Sequence, residues 1–315
     1  MDFSIIIPVF NRQATLLDTL RSVAEQSHRP IHLIIVDNNS TDASMDIARQ
    51  FKVEHSAPDF RIDITECTTQ GAAAARNAGT ALVDTPWMLW FDSDDTMRPC
   101  LLEEYRNAIE SAPERPDIVT VRCLRHHLDG STSSSNICHS NWLANHIKHA
   151  ILATQLFAIR RDFAIKHGGW DNGLSLWIDW EFGIRLLLAN PRVIALNKIL
   201  VDYYLGEATI TGTDFASKAD KGLTAIAKAR ADILNAENIP HRNRYIWLLD
   251  YVTIMLAAKC HREHNPIGLA IRNELLANSY APWPVKLAFR YIFRHIAAGL
   301  RGGAHIADAV IRLFA

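Results

Sequence analysis

The stretch FDSDD places three carboxylates, those of Asp92, Asp94 and Asp95, within four positions of the sequence. They directly follow the apolar run WMLWF, which predicts a buried strand that ends in acids. A capped turn needs one acid, whereas oxygen ligands at this density suit Mg²⁺ or Mn²⁺, whose charge would cancel the repulsion between the carboxylates. We therefore expect Asp92 and Asp94 to hold a divalent cation, and a solvated turn is the alternative.

Two other acid-rich sites fit this stretch less well. An EF-hand loop would take Asp92 as its first ligand, but it requires glycine where the chain has Met97. A phosphatase with an aspartyl nucleophile normally carries its two acids after the first strand, and the first predicted strand here ends in PVFN.

The elements that must position these acids alternate between strand and helix along the first half of the chain. Short β-branched runs predict buried strands, and apolar residues at helical spacing predict the helices between them. The strands are expected at 4–10, 31–37, 61–67, 86–92 and 117–123, with helices over 14–27, 38–51 and 71–83. This pattern predicts an α/β fold with a mostly parallel, doubly wound sheet and helices on both faces.

Ligands of open α/β sheets bind outside the carboxyl ends of the strands, and four loops of this chain reach that edge. Asp37 ends the second predicted strand and Asp92 the fourth, while Phe10 and Asn11 follow the first. The carboxylate of Asp37 is placed to accept hydrogen bonds from a nucleobase or a ribose hydroxyl. The alternative for VDNNSTD is a strand end followed by a helix cap.

The segment GAAAARNAG predicts a helix whose small residues allow close approach of another group. Arg76 within it could meet a phosphate near the start of the helix. The alternative is close packing of this helix on the sheet, with Arg76 in a structural salt bridge.

Farther along, Trp170, Trp177 and Trp180 surround Asp179 in the stretch GGWDNGLSLWIDWEFGIR. Indole rings offer the apolar wall and stacking surface of a sugar site, and such a wall would raise the pKa of a nearby carboxylate. Alternatively, Asp179 caps the helix that follows, within which Glu181 can pair with Arg185 at i,i+4. The residues alone leave both roles of Asp179 open.

Composition excludes several classes of protein. Thirty-three basic residues against 34 acidic ones give a net charge of -1, so there is no overall field to attract nucleic acid. The five cysteines are scattered without CxxC spacing, which argues against a disulfide framework and favours a reducing compartment. The sequence contains no uninterrupted run of about 18 apolar residues, so it predicts no membrane span. Its acidic start does not resemble a secretion signal. We expect a cytoplasmic protein.

Taken in order, SIIIPVFNR, VDNNSTD, GAAAARNAG, FDSDD and the segment around Asp179 resemble the family 2 inverting glycosyltransferases. The resemblance covers residues 1–215 and implies the GT-A fold, a Rossmann-like mixed sheet. It also implies a nucleoside-diphosphate-sugar donor, with a UDP-sugar favoured, and a glycan or lipid-linked acceptor. A divalent cation, Mn²⁺ or Mg²⁺, would act as the cofactor.

The resemblance assigns roles to individual residues. Those implied to bind the donor nucleotide are Pro8, Phe10, Asn11, Asp37, Arg76, Asn77 and Asp92. Asp92 and Asp94 match the D-x-D pair, with Asp94 on the metal, and Asp95 resembles an acid that contacts the sugar or acceptor, beside the three indoles. Asp179 matches the catalytic base, which implies a hexosyltransferase-like, inverting transfer in cell-surface polysaccharide or glycolipid synthesis.

The chain departs from the family pattern at three places. Asn38 and Asn39 replace the acid and glycine of VDDGS, Ile178 replaces an acid before Asp179, and Glu207 lies where many relatives carry a metal-binding histidine. These departures motivate a rival prediction, a catalytically silent glycosyltransferase-like binding protein. A nucleotidyltransferase is a weaker rival because PVFNRQAT lacks the glycine-rich loop that it would need. The sequence contains no Q-x-x-R-W motif, which argues against a processive synthase.

Residues 216–315 predict a separate helical region. Its last predicted helix mixes basic with apolar residues, namely Lys286, Arg290, Arg294, His295 and Arg301 among Leu287, Phe289, Tyr291, Ile292, Phe293 and Ile296. Such a helix can lie on the cytoplasmic face of an anionic membrane, pack on the catalytic domain or form a homodimer contact. The sequence leaves these alternatives open.

Overall fold

The computed structural model describes residues 2–205, 214–300 and 303–314, and these fall into two compact units. The first unit takes the described residues of Met1–Ser140, Ile151–Ser175 and Ala189–Glu207, and the second those of Asn141–Ala150, Leu176–Leu188 and Ala208–Ala315. The sequence analysis placed residues 141–150 and 176–188 in the catalytic domain, but both segments group with the second unit. The boundary between residues 215 and 216 stays a prediction.

The first unit is built on one mixed sheet. Its strands are β1 (Phe3–Val9), β2 (Ile31–Asp37), β3 (Phe60–Glu66), β4 (Trp87–Trp90), β5 (Thr96–Met97), β6 (Ile118–His126), β7 (Thr132–Ser134), β8 (Phe157–Arg160) and β9 (Val193–Tyr204). Its helices are α1 (Leu16–Ala24), α2 (Ser44–His55), α3 (Ala72–Thr80), α4 (Leu101–Ser111) and α6 (Arg161–Lys166). The strand order is β3-β2-β1-β4-β8-β6-β9-β5, and β7 pairs with β6.

The parallel half of the sheet follows the hydrophobic pattern of the sequence. Ile5, Ile6 and Ile7 of β1 have no solvent exposure, because helices cover both faces of a strand that carries no polar alternation. β1 runs parallel to β2 and β4, with Ile6 opposite both Ile34 and Trp90. The predicted strands and helices of this half are present, with ends shifted by a few residues.

The other half of the sheet contains strands that the sequence analysis missed. β8 lies between β4 and β6 and runs antiparallel to both, whereas β9 runs parallel to β6 with shifts in register near Arg122. β8 has only four residues and is followed at once by α6, so it carries no periodic signal of its own. The sheet is therefore mixed: β3, β2, β1 and β4 are parallel to one another, and β8 is antiparallel to both of its neighbours.

The second unit consists of helices in its described part. They are α5 (Trp142–His149), α7 (Ile178–Leu188), α8 (Ala219–Asn235), α9 (Arg242–Arg262), α10 (Ile267–Asn278), α11 (Trp283–Ala297) and α12 (Gly303–Phe314). The central helix α9 packs against α5, α8, α10, α11 and α12, which explains why its residues are buried around most of its circumference. No helix in the described ranges has the length and hydropathy needed to cross a bilayer.

Candidate functional site

The loops that follow β1 and β2 are joined at the carboxyl edge of the sheet. Asn11, in the left-handed region at φ 50°, accepts a hydrogen bond at Oδ1 from the amide of Thr41 (2.8 Å). The amide of Asn11 in turn donates to Ser40 Oγ (3.2 Å). Asn11 therefore fixes the shape of this edge.

Asp37 closes the turn after β2. Its Oδ1 accepts the amide hydrogen of Ser40 at 3.0 Å, so one oxygen of the carboxylate takes part in the turn that the sequence analysis gave as the alternative. Pro8 lies beside Val36 in the β1–β2 register, and the ring of Phe10 is 45% exposed. Phe10 follows Val9, the register partner of Asp37, so an exposed aromatic ring and an acid lie at the same edge, which suits a planar, polar base.

The two asparagines that depart from the family pattern organise the next loop. Asn38 is buried and donates from Nδ2 to the carbonyls of Cys67 (2.8 Å) and Thr69 (2.7 Å), while its Oδ1 accepts the amide of Gly71 (2.7 Å). An aspartate could not donate the first two bonds. Asn39 has φ 66°, a conformation that glycine and asparagine adopt most readily. Both replacements thus have a structural explanation.

Arg76 is buried under the acid loop and is 6% exposed. Its Nη2 donates to Asp92 Oδ1 at 2.7 Å, and its guanidinium lies 4.6 Å from the ring centre of Trp170. Nε and Nη1 are buried and have no hydrogen-bond partner among the described residues. The salt bridge that was the alternative for Arg76 is therefore present, and the guanidinium positions Asp92.

Small residues let α3 approach the sheet closely. A Cβ added to Gly79 would lie 2.4 Å from Ile6 Cγ2 and 2.9 Å from Val36 Cγ2. Glycine at this position therefore brings the helix that carries Arg76 onto β1 and β2.

Asp94 is the more exposed neighbour of Asp92, and the nearest cation is Arg12, whose Nη2 lies 3.5 Å from Asp94 Oδ2. Burial, followed by the charge of Asp92, raises the pKa of Asp94 above its ordinary value. Two repelling carboxylates that offer hard oxygens fit Mg²⁺ or Mn²⁺, which bind proteins through one or two carboxylates together with substrate phosphates. Sequence reasoning gave Arg12 no role, although it follows Asn11 at the same edge.

Asp95 has a different environment from its two neighbours. It has no solvent exposure, and its oxygens accept hydrogen bonds from Gln155 Nε2 (2.8 Å) and from the amide of Tyr204 (2.9 Å). Burial and then the charge of Asp92 raise the pKa of Asp95 to about 9. This carboxyl links three segments of the first unit, and its contact with the sugar or acceptor stays a prediction.

Asn77 holds the loop that carries Trp170. Its Nδ2 donates to the carbonyl of Trp170 (2.8 Å) and to Asn172 Oδ1 (3.1 Å), and its Oδ1 accepts the amide of Trp170 (2.8 Å). Trp170 itself is buried, edge-to-face against Trp90 at 5.0 Å. Asn77 therefore positions the loop of Trp170, and the ring of Trp170 contacts the guanidinium of Arg76.

Another acid of the first unit, Asp202, lies near the end of β9. It accepts two hydrogen bonds from Arg98 (2.9 and 3.2 Å) and pairs with His126 Nε2 at 2.8 Å. The ring of His126 stacks on Tyr204 with centroids 4.6 Å apart. Glu207, which the sequence analysis considered as a substitute metal ligand, lies outside the described residues.

In the second unit, Asp179 lies in the first turn of α7, one residue inside the helix rather than at its N-cap. Its Oδ1 accepts the amide hydrogen of Trp180 (2.9 Å), and Trp180 is buried with Nε1 donating to the carbonyl of Ile147 (3.0 Å). Trp177 is half-buried and lies edge-on to Trp180 at 5.8 Å. Trp177, Trp180 and Asp179 are thus neighbours in the second unit, whereas Trp170 packs on Trp90 in the first; their role at a sugar stays a prediction.

A buried histidine supports the same helix. His146 has no solvent exposure, and its Nε2 donates to the carbonyl of Trp180 (2.9 Å), while burial lowers its pKa to about 4. A Cβ on Gly183 would lie 2.3 Å from His146 Nε2, so glycine is needed there. Within the described ranges, no three His, Cys, Asp or Glu side chains converge on a metal position.

Comparison with known proteins identifies the family. The model of the family described as "Glycosyl transferase family 2" matches residues 4–167, just over half of the 315-residue chain. The chain is 29% identical over 204 residues to a PGL/p-HBAD biosynthesis glycosyltransferase of Mycobacterium tuberculosis, covering 61% of this chain and 72% of that protein. It is 26% identical over 188 residues to a glycosyltransferase of Haemophilus influenzae, covering 58% of this chain and 61% of that protein.

Solved structures share the fold. The crystal structure of S. aureus TarS 1-349 in complex with UDP-GlcNAc matches with a TM-score of 0.72 at 17% identity, over 99% of this chain and 91% of that one. The mannosyltransferase PcManGT from Pyrobaculum calidifontis, in complex with GDP-Man and Mn²⁺, matches with a TM-score of 0.59 at 18% identity, over 99% and 87%. Together with the family match, these comparisons show that the chain belongs to glycosyl transferase family 2 and is a glycosyltransferase with the GT-A fold.

Proposed function

We propose that this glycosyltransferase is metal-dependent and inverting, and that it moves a hexose from a nucleoside-diphosphate sugar to an acceptor hydroxyl. The observation that carries the proposal is the acid loop after β4, where Asp92 is fixed by Arg76 and Asp94 is left beside it with a raised pKa. A cation together with a donor diphosphate would complete this arrangement. The two structural neighbours, in complex with UDP-GlcNAc and with GDP-Man and Mn²⁺, support this class of donor and cofactor.

The donor would be held by side chains at the carboxyl edge of the sheet. Asp37 has a second carboxylate oxygen for the nucleobase or ribose, and Phe10 offers an exposed ring beside it. Arg76 keeps Asp92 Oδ1 in place, so that Asp92 and Asp94 would present their remaining oxygens to the cation. Bound there, the cation would supply charge stabilisation for the departing diphosphate.

Asp179 is our proposed general base, and this role rests on its match to the family motif. As base, its carboxylate takes the proton of the acceptor hydroxyl while that oxygen attacks the anomeric carbon opposite the leaving diphosphate. One carboxylate base without a second catalytic acid is the set that an inverting transfer needs. A glycan or lipid-linked acceptor, in cell-surface polysaccharide or glycolipid synthesis, is the acceptor class that we propose.

Release of nucleoside diphosphate from UDP- and GDP-sugars, with Mn²⁺ or Mg²⁺ and an acceptor extract, tests the proposal. We expect Asp94→Asn to lower turnover by roughly two to three orders of magnitude and to weaken binding of Mn²⁺ with UDP, measured by calorimetry. The matched control is Asp46→Asn, an exposed acid of α2 that should leave both values unchanged.

Asp179→Asn should lower turnover by roughly 10²- to 10⁴-fold with donor binding retained. Asp220→Asn removes an exposed acid from the first turn of α8 and controls for a loss of charge at a helix start. Diphosphate release that is unaffected by Asp179→Asn would exclude the base assignment. A product whose anomeric configuration matches that of the donor would exclude the inverting mechanism.

A further inference from the structure

The outer face of α11 carries an exposed apolar stripe. Trp283, Leu287 and Tyr291 follow one another at i, i+4 and i+8, and they are 75%, 54% and 56% exposed. Tyr280, just before the helix, is fully exposed at 100%. Single exposed apolar residues need no explanation, whereas a contiguous row with two aromatic rings marks an interaction surface.

A basic stripe runs beside the apolar one. Lys286, Arg290 and Arg294 are also spaced at i, i+4 and i+8, so they share the outer face of α11. The opposite face of the helix is buried in the second unit, through Val285, Phe289, Ile292 and Phe293. Helix α11 contains no acid, and residues 267–300 hold four Lys or Arg residues against one Glu, in a chain whose net charge is -1.

An arginine-rich cavity of about 420 Å³ lies between α10 and α11, and it is lined by Arg272, Asn273, Leu276, Ala277, Arg290 and Arg294. Arg272 donates to Asn273 Oδ1 (3.2 and 2.8 Å) and lies over the ring of Phe293 at 4.8 Å. Within the ranges that the structure describes, none of the three arginines forms an ion pair with a carboxylate. Their charge is therefore available to an external anion such as a phosphate.

We propose that the outer face of α11, together with this cavity, docks on an anionic lipid bilayer. The aromatic stripe would enter the headgroup region, which Trp and Tyr favour, and the arginines would bind lipid phosphates. Charge complementarity selects this occupant over a second copy of the chain, because pairing two α11 faces would oppose like charges. The inference is independent of the proposed donor chemistry, since none of these residues belongs to the candidate site.

Sedimentation of the full chain with vesicles tests the inference at about 0.1 M salt, where surface charges are only partly screened. We expect binding to phosphatidylcholine vesicles that contain about one third phosphatidylglycerol and little binding to pure phosphatidylcholine. Arg290→Gln/Arg294→Gln should weaken the binding about 30-fold, since each basic residue near the surface contributes about five- to sixfold. Trp283→Ser should weaken it about tenfold by removing the inserted ring.

The matched control is Lys166→Gln/Lys221→Gln, which removes the same charge from two exposed residues elsewhere. It should bind vesicles like the parent, and both double variants should keep the parent's diphosphate release and thermal unfolding. If the control variant lost vesicle binding to the same extent, the effect would come from overall charge, and the proposed docking surface would be overturned. Equal binding to neutral vesicles, binding of inorganic phosphate without binding of vesicles, or a dimer that the Trp283→Ser variant dissociates would also overturn it.

Discussion

Replacing Arg76 by methionine should destabilise the first unit by about 3 kcal/mol. Arg76 is 6% exposed and donates to Asp92 at 2.7 Å, and Asp92 retains only 28% of its side-chain exposure. Breaking a buried ion pair by removing one partner costs about 3 to 5 kcal/mol, and the partial hydration of Asp92 places this pair at the lower end. Loss of the contact with Trp170, 4.6 Å from the guanidinium, adds to that cost.

Urea unfolding, monitored by far-ultraviolet circular dichroism, measures the difference between parent and variant. Arg49→Met is the matched control: it removes an arginine that pairs with Asp46 at 3.1 Å while 61% exposed, and should cost less than about 1 kcal/mol. Because Arg76 also fixes Asp92 Oδ1, diphosphate release should fall by roughly ten- to a hundredfold in Arg76→Met through misplacement of the acid.

Two results would refute this account of Arg76. One is an unfolding free energy of Arg76→Met within about 0.5 kcal/mol of the parent, the range of ordinary surface substitutions. The other comes from a double-mutant cycle with Trp170→Leu, in which we expect a coupling of about 1 kcal/mol. Strict additivity would mean that the indole does not stabilise the guanidinium.

Three further substitutions test the packing around the site. Gly79→Ala should destabilise the chain by roughly 1 to 3 kcal/mol, because its Cβ would lie 2.4 Å from Ile6 Cγ2; chemical unfolding measures the loss. Asn77→Ala should speed proteolysis in the loop around residue 170, since it removes three hydrogen bonds from that loop. His146 has a folded-state pKa of about 4, below its unfolded value, so its contribution is present above about pH 6.5 and is lost as the pH falls toward 4. Over that window the parent should lose roughly 3 kcal/mol more than His146→Gln in unfolding titrations, whereas the exposed His305→Gln should follow the parent.

The parallel half of the sheet was predictable because its signal is local. Continuous apolar runs such as that of β1 and β2 have one stable placement, buried between helices, and the acids at their ends then reach one edge. The strands β8 and β9 were not predicted because their pairing with β4 and β6 is set by contacts far apart in the sequence. Family membership was predictable from five ordered motifs, and the family match confirms it.

Residue roles were harder to predict than motifs. From the sequence, the partner of Arg76 could be a phosphate or a carboxylate of the chain. The distance between Arg76 and Asp92 in the structure shows that a salt bridge is present. Asn38 was a puzzling departure in the sequence, whereas its three hydrogen bonds show a residue that must both donate and accept. In both cases the deciding partner lies on a different element, so spacing along the chain could not identify it.

The three acids of FDSDD show where this limit lies. In the sequence they are equivalent carboxylates after a strand, yet the structure gives them different partners: Arg76 for Asp92, Arg12 for Asp94, and protein donors on both oxygens for Asp95. The donors to Asp95 are 60 and 109 residues away, in segments whose pairing no local pattern reports. The contact of Asp95 with a sugar or acceptor stays a prediction, and it requires this buried carboxyl to become exposed. The two partly exposed acids are therefore the ones available to a cation, and the third holds their loop in place.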